Sequence, residues 1–153
     1  MEPRTSTLTK VFHADTLADL IDASKRKQVA YVQSIPEFMT APEGIAYSAL
    51  DIADERQVEG RQKAENMEIE FLFTEEQYDE LKAIETAKTN GYWAIQLPDV
   101  TATTSGKPLT WYFTGTCFVG MSEIALDDML KAKVTIYRSS EIKENKGFPE
   151  TAE

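Results

Sequence analysis

The clearest pattern along the chain is an alternation of apolar and polar positions. Met67, Ile69, Phe71 and Phe73 alternate with Glu68, Glu70 and Leu72, and a period of two sends successive side chains to opposite faces of a strand. This stretch is predicted as a strand with Ile69, Phe71 and Phe73 in the core. Tyr92 to Leu97 is predicted as another, with Ile95 inward. Its expected partner is Leu109 to Val119, where Leu109, Trp111, Phe113, Cys117 and Val119 share one face with Gly115. The last strand runs from Ala132 to Tyr137, with Ala132, Val134 and Ile136 inward and Lys133 and Thr135 outward. Upstream, Val29 to Ile35 is a β-rich run stopped by Pro36, read as the first core strand with Val32 in the core. Ile45 to Leu50 is read as the second strand.

The period changes to that of a helix in two places. Thr74 and Gln77 form a capping-box pattern, with Glu75 and Glu76 in the first turn, where the helix dipole favours acid. Tyr78, Leu81 and Ile84 then fall within an arc of roughly 120°, so a helix over about 74–89 covers the core with one face. Asn90-Gly91 is expected to end it. A shorter helix over about 15–24 starts at Asp15 or Thr16 and carries Leu17, Leu20 and Ile21 on one face. The basic cluster Lys25, Arg26 and Lys27 follows it.

The remaining segments have no apolar period. Residues 1–10 and 139–153 read as flexible or assembly arms, and Pro98 to Pro108 reads as a loop. Asp51 to Asn66 carries Asp54, Glu55, Arg56, Glu59, Gly60, Arg61 and Lys63 and contributes nothing to a core. It exceeds the usual length of a connection, and such loops tend to be functional or mobile. Its ends have the option of pairing as a protruding hairpin around Gly60. The sum is an α+β, mainly β, single domain over 1–153: an antiparallel β-sandwich or open barrel with one packed helix and a short N-terminal one.

Composition narrows the function more than the fold. The 153 residues are 42% hydrophobic and 27% charged, and 26 acidic against 16 basic residues give a net charge of −10. A field of that sign repels phosphate backbones, which argues against sequence-specific nucleic-acid binding. No run of about 18 apolar residues is present to span a membrane. Met1 to Lys10 lacks the apolar stretch of a secretory signal, so the expected site of synthesis is intracellular.

Candidate chemistry is sparse. His13 is the only histidine and Cys117 the only cysteine, so the chain offers no internal disulfide, no imidazole-rich metal site and no thiolate zinc cluster. A Cys-His nucleophile would need those two side by side, and Cys117 on an apolar strand face reads as an inert buried thiol. Glu68 with Glu70, or Asp51 with Asp54, have the residue type of a glycosidase pair, but acids alternating along a strand read as its solvent face. Asp127-Asp128 reads as a turn. Trp93, Trp111, Tyr112 and Phe118 would serve as a stacking platform only if exposed; at alternate strand positions they read as core or subunit contacts. The chain is expected to use no cofactor and to catalyse nothing.

Taken in order, several segments resemble the major tail tube protein of long, non-contractile phage tails. They begin at Val29-Ala30-Tyr31-Val32-Gln33-Ser34-Ile35-Pro36 and Pro42-Glu43-Gly44-Ile45-Ala46-Tyr47-Ser48-Ala49-Leu50-Asp51, followed by the polar loop with Val58-Glu59-Gly60. They continue through the strand Met67 to Phe73 with its helix, Ile95-Gln96-Leu97-Pro98-Asp99, Trp111-Tyr112-Phe113-Thr114-Gly115, and Ala132 to Tyr137. The resemblance implies a virion structural subunit, made in the bacterial cytoplasm, that closes into hexameric rings and stacks them into a tube. It implies contacts to further copies of itself, to tape-measure, terminator and baseplate proteins, and passage of DNA through an acidic channel without specific binding. By position, Asp51, Asp54, Glu55, Arg56, Glu59, Gly60 and Arg61 would reach toward adjacent subunits or the next ring. Within the same class stands a tail terminator or another small virion ring protein. From other classes come a small carbohydrate-binding or hydrolytic β-sandwich using Trp93, Trp111 and a carboxylate, and an adaptor that binds one protein through the acidic loop.

Overall fold

Alternating side chains at Met67 to Leu72 do form a strand, and it lies near one end of a curled antiparallel sheet. The computed structural model describes residues 9–39, 41–61, 66–98 and 108–148. Expectations placed on residues 1–8, 62–65 (Lys63 among them), 99–107 and 149–153 lie outside the described residues. In chain order the elements are β1 (Lys10–Ala14), α1 (Leu17–Ile21), β2 (Lys27–Val29), β3 (Val32–Ser34), β4 (Gly44–Tyr47) and β5 (Arg56–Glu59). Then come β6 (Met67–Leu72), α2 (Glu75–Ala87), β7 (Gly91–Gln96), β8 (Leu109–Met121), β9 (Lys131–Arg138) and β10 (Lys143–Lys146). Of the described residues, 44% are in strands and 14% in helices.

The main sheet has the order β2-β1-β7-β8-β9-β6-β3, with β10 also paired to β8, and every pairing is antiparallel. Its two outermost strands, β2 and β3, are separated in sequence only by Ala30 and Tyr31. Three residues of chain span at most about 11 Å, so the sheet must curl until its edges nearly meet. Of the two predicted forms, sandwich and open barrel, the chain takes the second, as a half-barrel.

That closure corrects the expectation of one core strand from Val29 to Ile35. The run breaks at Ala30-Tyr31, with Tyr31 in the left-handed region at φ 58°. On one side β2 pairs with β1; on the other, β3 pairs with β6 through Val32 opposite Phe71, and Leu72 N–H donates to Tyr31 O at 3.0 Å. The break is held by the Gln77 amide of α2. Ala30 N–H donates to Gln77 Oε1 at 2.9 Å, and Gln77 Nε2 donates to Ala30 O at 3.5 Å. The capping box predicted for Thr74 and Gln77 therefore does not form: Thr74 sits at the N-cap with no side-chain hydrogen bond. At the other end Lys88, at φ 52°, takes the left-handed cap expected of Asn90-Gly91, and Gly91 already belongs to β7.

Two strands were not anticipated. β1 occupies residues just past the supposed arm and is buried from Val11 to Ala14. Beyond Arg138, where a loose tail was expected, β10 pairs with Leu109 to Tyr112 of β8. Phe148 then packs edge-on to Phe12 at 5.8 Å, with the Arg26 guanidinium 4.1 Å from one ring centroid and 4.9 Å from the other. Arg26 is thus a half-buried clamp rather than part of an exposed basic cluster.

The core fills the inside of the curl. Ile69, Phe71, Leu81, Ile95, Phe113, Val134 and Ile136 are all 2% exposed or less, and Trp111 is buried with them. Val32, Phe73 and Ile84 are half-buried against the same cluster. A second, smaller cluster of Phe12, Ala14, Leu20 and Ala94 lies on the other face of β1 and β7, so these two strands are buried on both sides. Thr16 caps the helix that covers it, its side chain accepting from Asp19 N–H at 3.2 Å. β8 outruns β7, which pairs with it only as far as Gly115. Beyond that point α2 covers the open edge: Val119 N–H donates to Glu85 Oε2 at 3.2 Å and Lys82 Nζ donates to Val119 O at 3.3 Å. A covered edge cannot recruit a stray strand. Gly115 itself is required by close approach, since a Cβ there would lie 2.7 Å from Tyr137 O.

Candidate assembly surfaces

Every residue predicted to reach outward falls in one feature, a two-stranded sheet formed by β4 and β5 alone. Asp51, Asp54 and Glu55 lie in the exposed connection between these strands, Arg56 and Glu59 in β5, and Arg61 just beyond it. The register pairs Gly44 with Glu59, Ile45 with Val58, Ala46 with Gln57 and Tyr47 with Arg56. Gly60 is therefore at the open base and not at the tip: its N–H donates to Glu43 O at 2.7 Å, where a Cβ would also clash at 2.7 Å. The second predicted strand, Ile45 to Leu50, thus belongs to a protrusion outside the main sheet.

One face of this hairpin was not foreseen as a contact surface. By the pleat, Ile45, Tyr47, Arg56 and Val58 share a side, and the three apolar residues are 57%, 42% and 50% exposed in the order Ile45, Tyr47, Val58. Isolated two-stranded hairpins are marginal in water, and an apolar ribbon on one needs a cover. The apolar side chains of the expected strand Ile45 to Leu50 were the available signal, and the local pattern does not say what covers them.

A second apolar surface was missed altogether. The connection from β8 to β9 exposes Ile124 at 68%, Leu126 at 93% and Met129 at 65%, alongside the exposed acids Glu123, Asp127 and Asp128. Asp127, at φ 59°, makes the turn expected of Asp127-Asp128, and Asp128 Oδ1 accepts from Met129 N–H at 2.9 Å. Four large apolar residues around a tight acidic turn, Leu130 being the fourth, were the signal in the sequence.

The residues weighed for catalysis are dispersed. His13 is buried on β1 against Trp93, ring centroids 5.3 Å apart, while Cys117 on β8 faces Ile136 of β9. Burial, with the nearby Lys27 charge, pushes the His13 pKa down to about 4, and Asp15 opposes this only in part. Burial pushes the Cys117 thiol up to about 11, aided by the Glu85 charge, which disfavours the nucleophilic thiolate. Glu70 lies 3.9 Å from Lys131, and Glu68 is exposed. Trp93 and Trp111 are buried, not a platform: their indole N–H groups donate to Gly115 O at 3.2 Å and to Glu144 Oε1 at 3.1 Å. A cleft of about 470 Å³ opens beside Val32, Phe38, Ile95 and Trp111, and among the described residues that line it none has an ionisable side chain. Among the described residues, no three of His, Cys, Asp or Glu converge to hold a metal ion.

No protein-family model matches the sequence, and no curated protein sequence matches it. Solved structures do. A chain in the cryo-EM structure of an extracellular contractile injection system, the PVC sheath/tube terminator in the extended state, aligns with a TM-score of 0.66 at 12% identity, over 95% of this chain and 98% of that one. A chain in the anti-feeding prophage cap, the AFP tube-terminating cap, aligns at 0.67 and 12% identity over 96% and 93%. The chain shares its fold with injection-particle proteins. A third match, in the 6-fold symmetrised AFP baseplate, scores 0.63 at 10% identity over 97% and 98%. At these identities the likeness is one of fold, and it runs along nearly the whole chain. The likeness shows the fold alone, and the narrower expectation of a non-contractile tail tube finds no support in these neighbours.

Proposed function

We propose that this chain is a structural subunit of a contractile, phage-tail-like particle, forming a ring with copies of itself at the end of the tube. The observation that carries the proposal is the uncovered apolar hairpin face, standing on a fold shared along its whole length with parts of such particles. Contiguous exposed apolar surface of this kind marks interaction sites. The 6-fold symmetry of the AFP baseplate makes six subunits the first expectation for the ring. Its partners on this reading are further copies and the neighbouring tail and baseplate proteins. An enzyme role has no support in the dispersed His13, Cys117 and carboxylates, and the buried Trp93 and Trp111 remove the aromatic site that a glycan-binding role would use.

The terminator role favoured here differs from tube polymerisation in one visible respect. Negative-stain electron microscopy of the purified protein at high concentration should show single rings of uniform diameter. Long tubes would restore the tube-subunit reading. A protein that remains monomeric by light scattering at every concentration tested would remove both.

A further inference from the structure

The two uncovered apolar surfaces are joined in sequence to opposite ends of the same strand. β6 starts at Met67, on the side where the chain leaves β3 at Ser34 and enters the hairpin before returning. It ends at Leu72, which pairs with Lys131, the residue directly after the β8–β9 connection; Phe73 N–H donates to Leu130 O at 2.9 Å. Six strand residues put roughly 17 Å between these ends, and β4 and β5 form a sheet of their own.

Their chemistry is complementary. The hairpin face carries Ile45, Tyr47 and Val58 with one charge, Arg56. The connection carries Ile124, Leu126 and Met129 with Glu123, Asp127 and Asp128. Among the described residues Arg56, Asp127 and Asp128 form no ion pair. The hairpin's own acids do not oppose the match: Asp51, Asp54 and Glu55 lie in the turn past the ribbon, and Glu59 is on the other face.

We infer that the β4–β5 face of one copy docks on the residue 122–130 connection of the next, Arg56 meeting Asp127 and Asp128. Resting on the assembly reading above, this specifies its interface. The contact joins two different surfaces of the chain, head to tail. Such heterologous contacts close into a ring when the rotation between copies closes, and otherwise run on as a filament.

Two variants on exposed positions separate the halves of the contact: Ile45→Asp with Val58→Asp, and Leu126→Asp with Met129→Asp. Loss of a central apolar anchor should raise the concentration needed for assembly by about 30-fold or more. Each variant alone should therefore stay monomeric in analytical ultracentrifugation. Mixed, they keep one intact hairpin and one intact connection between them, so they should form 1:1 dimers and nothing larger. A wild-type protein that assembles while either variant assembles equally well, or a mixture that stays monomeric, overturns the interface and leaves the assembly reading standing; a wild-type protein that never assembles overturns both. Cross-linking gives a second readout should an aspartate variant fail to fold. Val58→Cys mixed with Leu126→Cys should yield the mixed disulfide well above either self-pair, since a disulfide needs Cα atoms within about 7 Å. Equal yields of all three pairs would count against the inference. Buried Cys117 should stay silent in this assay.

Discussion

Replacing Gln77 tests how the half-barrel is closed, because the sequence pattern and the tertiary contact give that residue different partners. In a capping box its amide would serve the Thr74 N–H, and Glu would do the same work with added favour from the helix dipole. In the structure Gln77 is 7% exposed and bonds both backbone groups of Ala30, at 2.9 and 3.5 Å. The shorter bond is well formed; the longer is at the limit of a hydrogen bond. Orphaning a buried N–H costs about 1–3 kcal/mol, and Ala30 is only half-buried, so Gln77→Ala should cost about 2 kcal/mol. Gln77→Glu keeps an acceptor for Ala30 N–H but places a carboxylate in a nearly dry site facing Ala30 O. It should lose at least about 1 kcal/mol at neutral pH. Thr74→Ala removes no side-chain bond and should cost under about 0.5 kcal/mol, against about 1 kcal/mol for a working cap. Urea denaturation measures all three, and faster amide exchange at Ala30 in the Gln77 variants would localise the effect. A Gln77→Glu protein as stable as wild type, together with a Thr74→Ala loss near 1 kcal/mol, would refute this account of closure.

Three further perturbations probe the rest of the subunit. His13 is held neutral in the fold, at about 4 against 6.5, so the unfolded chain takes up a proton first as pH falls. Stability should drop between pH 6.5 and 4 by up to about 3 kcal/mol, and Gln in place of His13 should flatten that part of a melting-temperature profile; an unchanged slope would mean other groups carry it. Phe71→Ala should cost about 3–5 kcal/mol, since Phe71 is fully buried, and a negligible loss in urea titration would misplace the core face of β6. Gly115→Ala pushes a methyl against Tyr137 O and should cost about 1–3 kcal/mol by overpacking; a neutral result in the same titration would show that β9 can shift.

The strands with a clean alternation, β6, β8 and β9, could be read from the sequence with their inward faces, because a period of two on a half-buried sheet leaves no second solution. The same holds for α2, whose Leu81 is fully buried. Elsewhere the local signal was present but its meaning was not. Val29 to Ile35 has uniform β propensity, yet it is split, because only the curl of the whole sheet decides that β2 and β3 belong to opposite edges. Gln77 carries a capping pattern and spends its amide on Ala30, forty-seven residues away in sequence. β1 and β10 are short, and their pairing partners, not their own composition, make them strands. For the candidate assembly surfaces the charges of residues 51–61 marked the protrusion, while nothing in the local pattern assigned Ile45, Tyr47 and Val58 to an open face. Hydrophobic period tells which side chains share a face; it does not tell whether that face meets the chain's own interior or is left open for another molecule. Residue pattern and composition were enough for a mainly β, acidic chain poor in catalytic groups. That its sheet curls until its edges nearly meet, and that two apolar surfaces stay uncovered, follows from contacts between residues far apart in the chain, which no local pattern encodes.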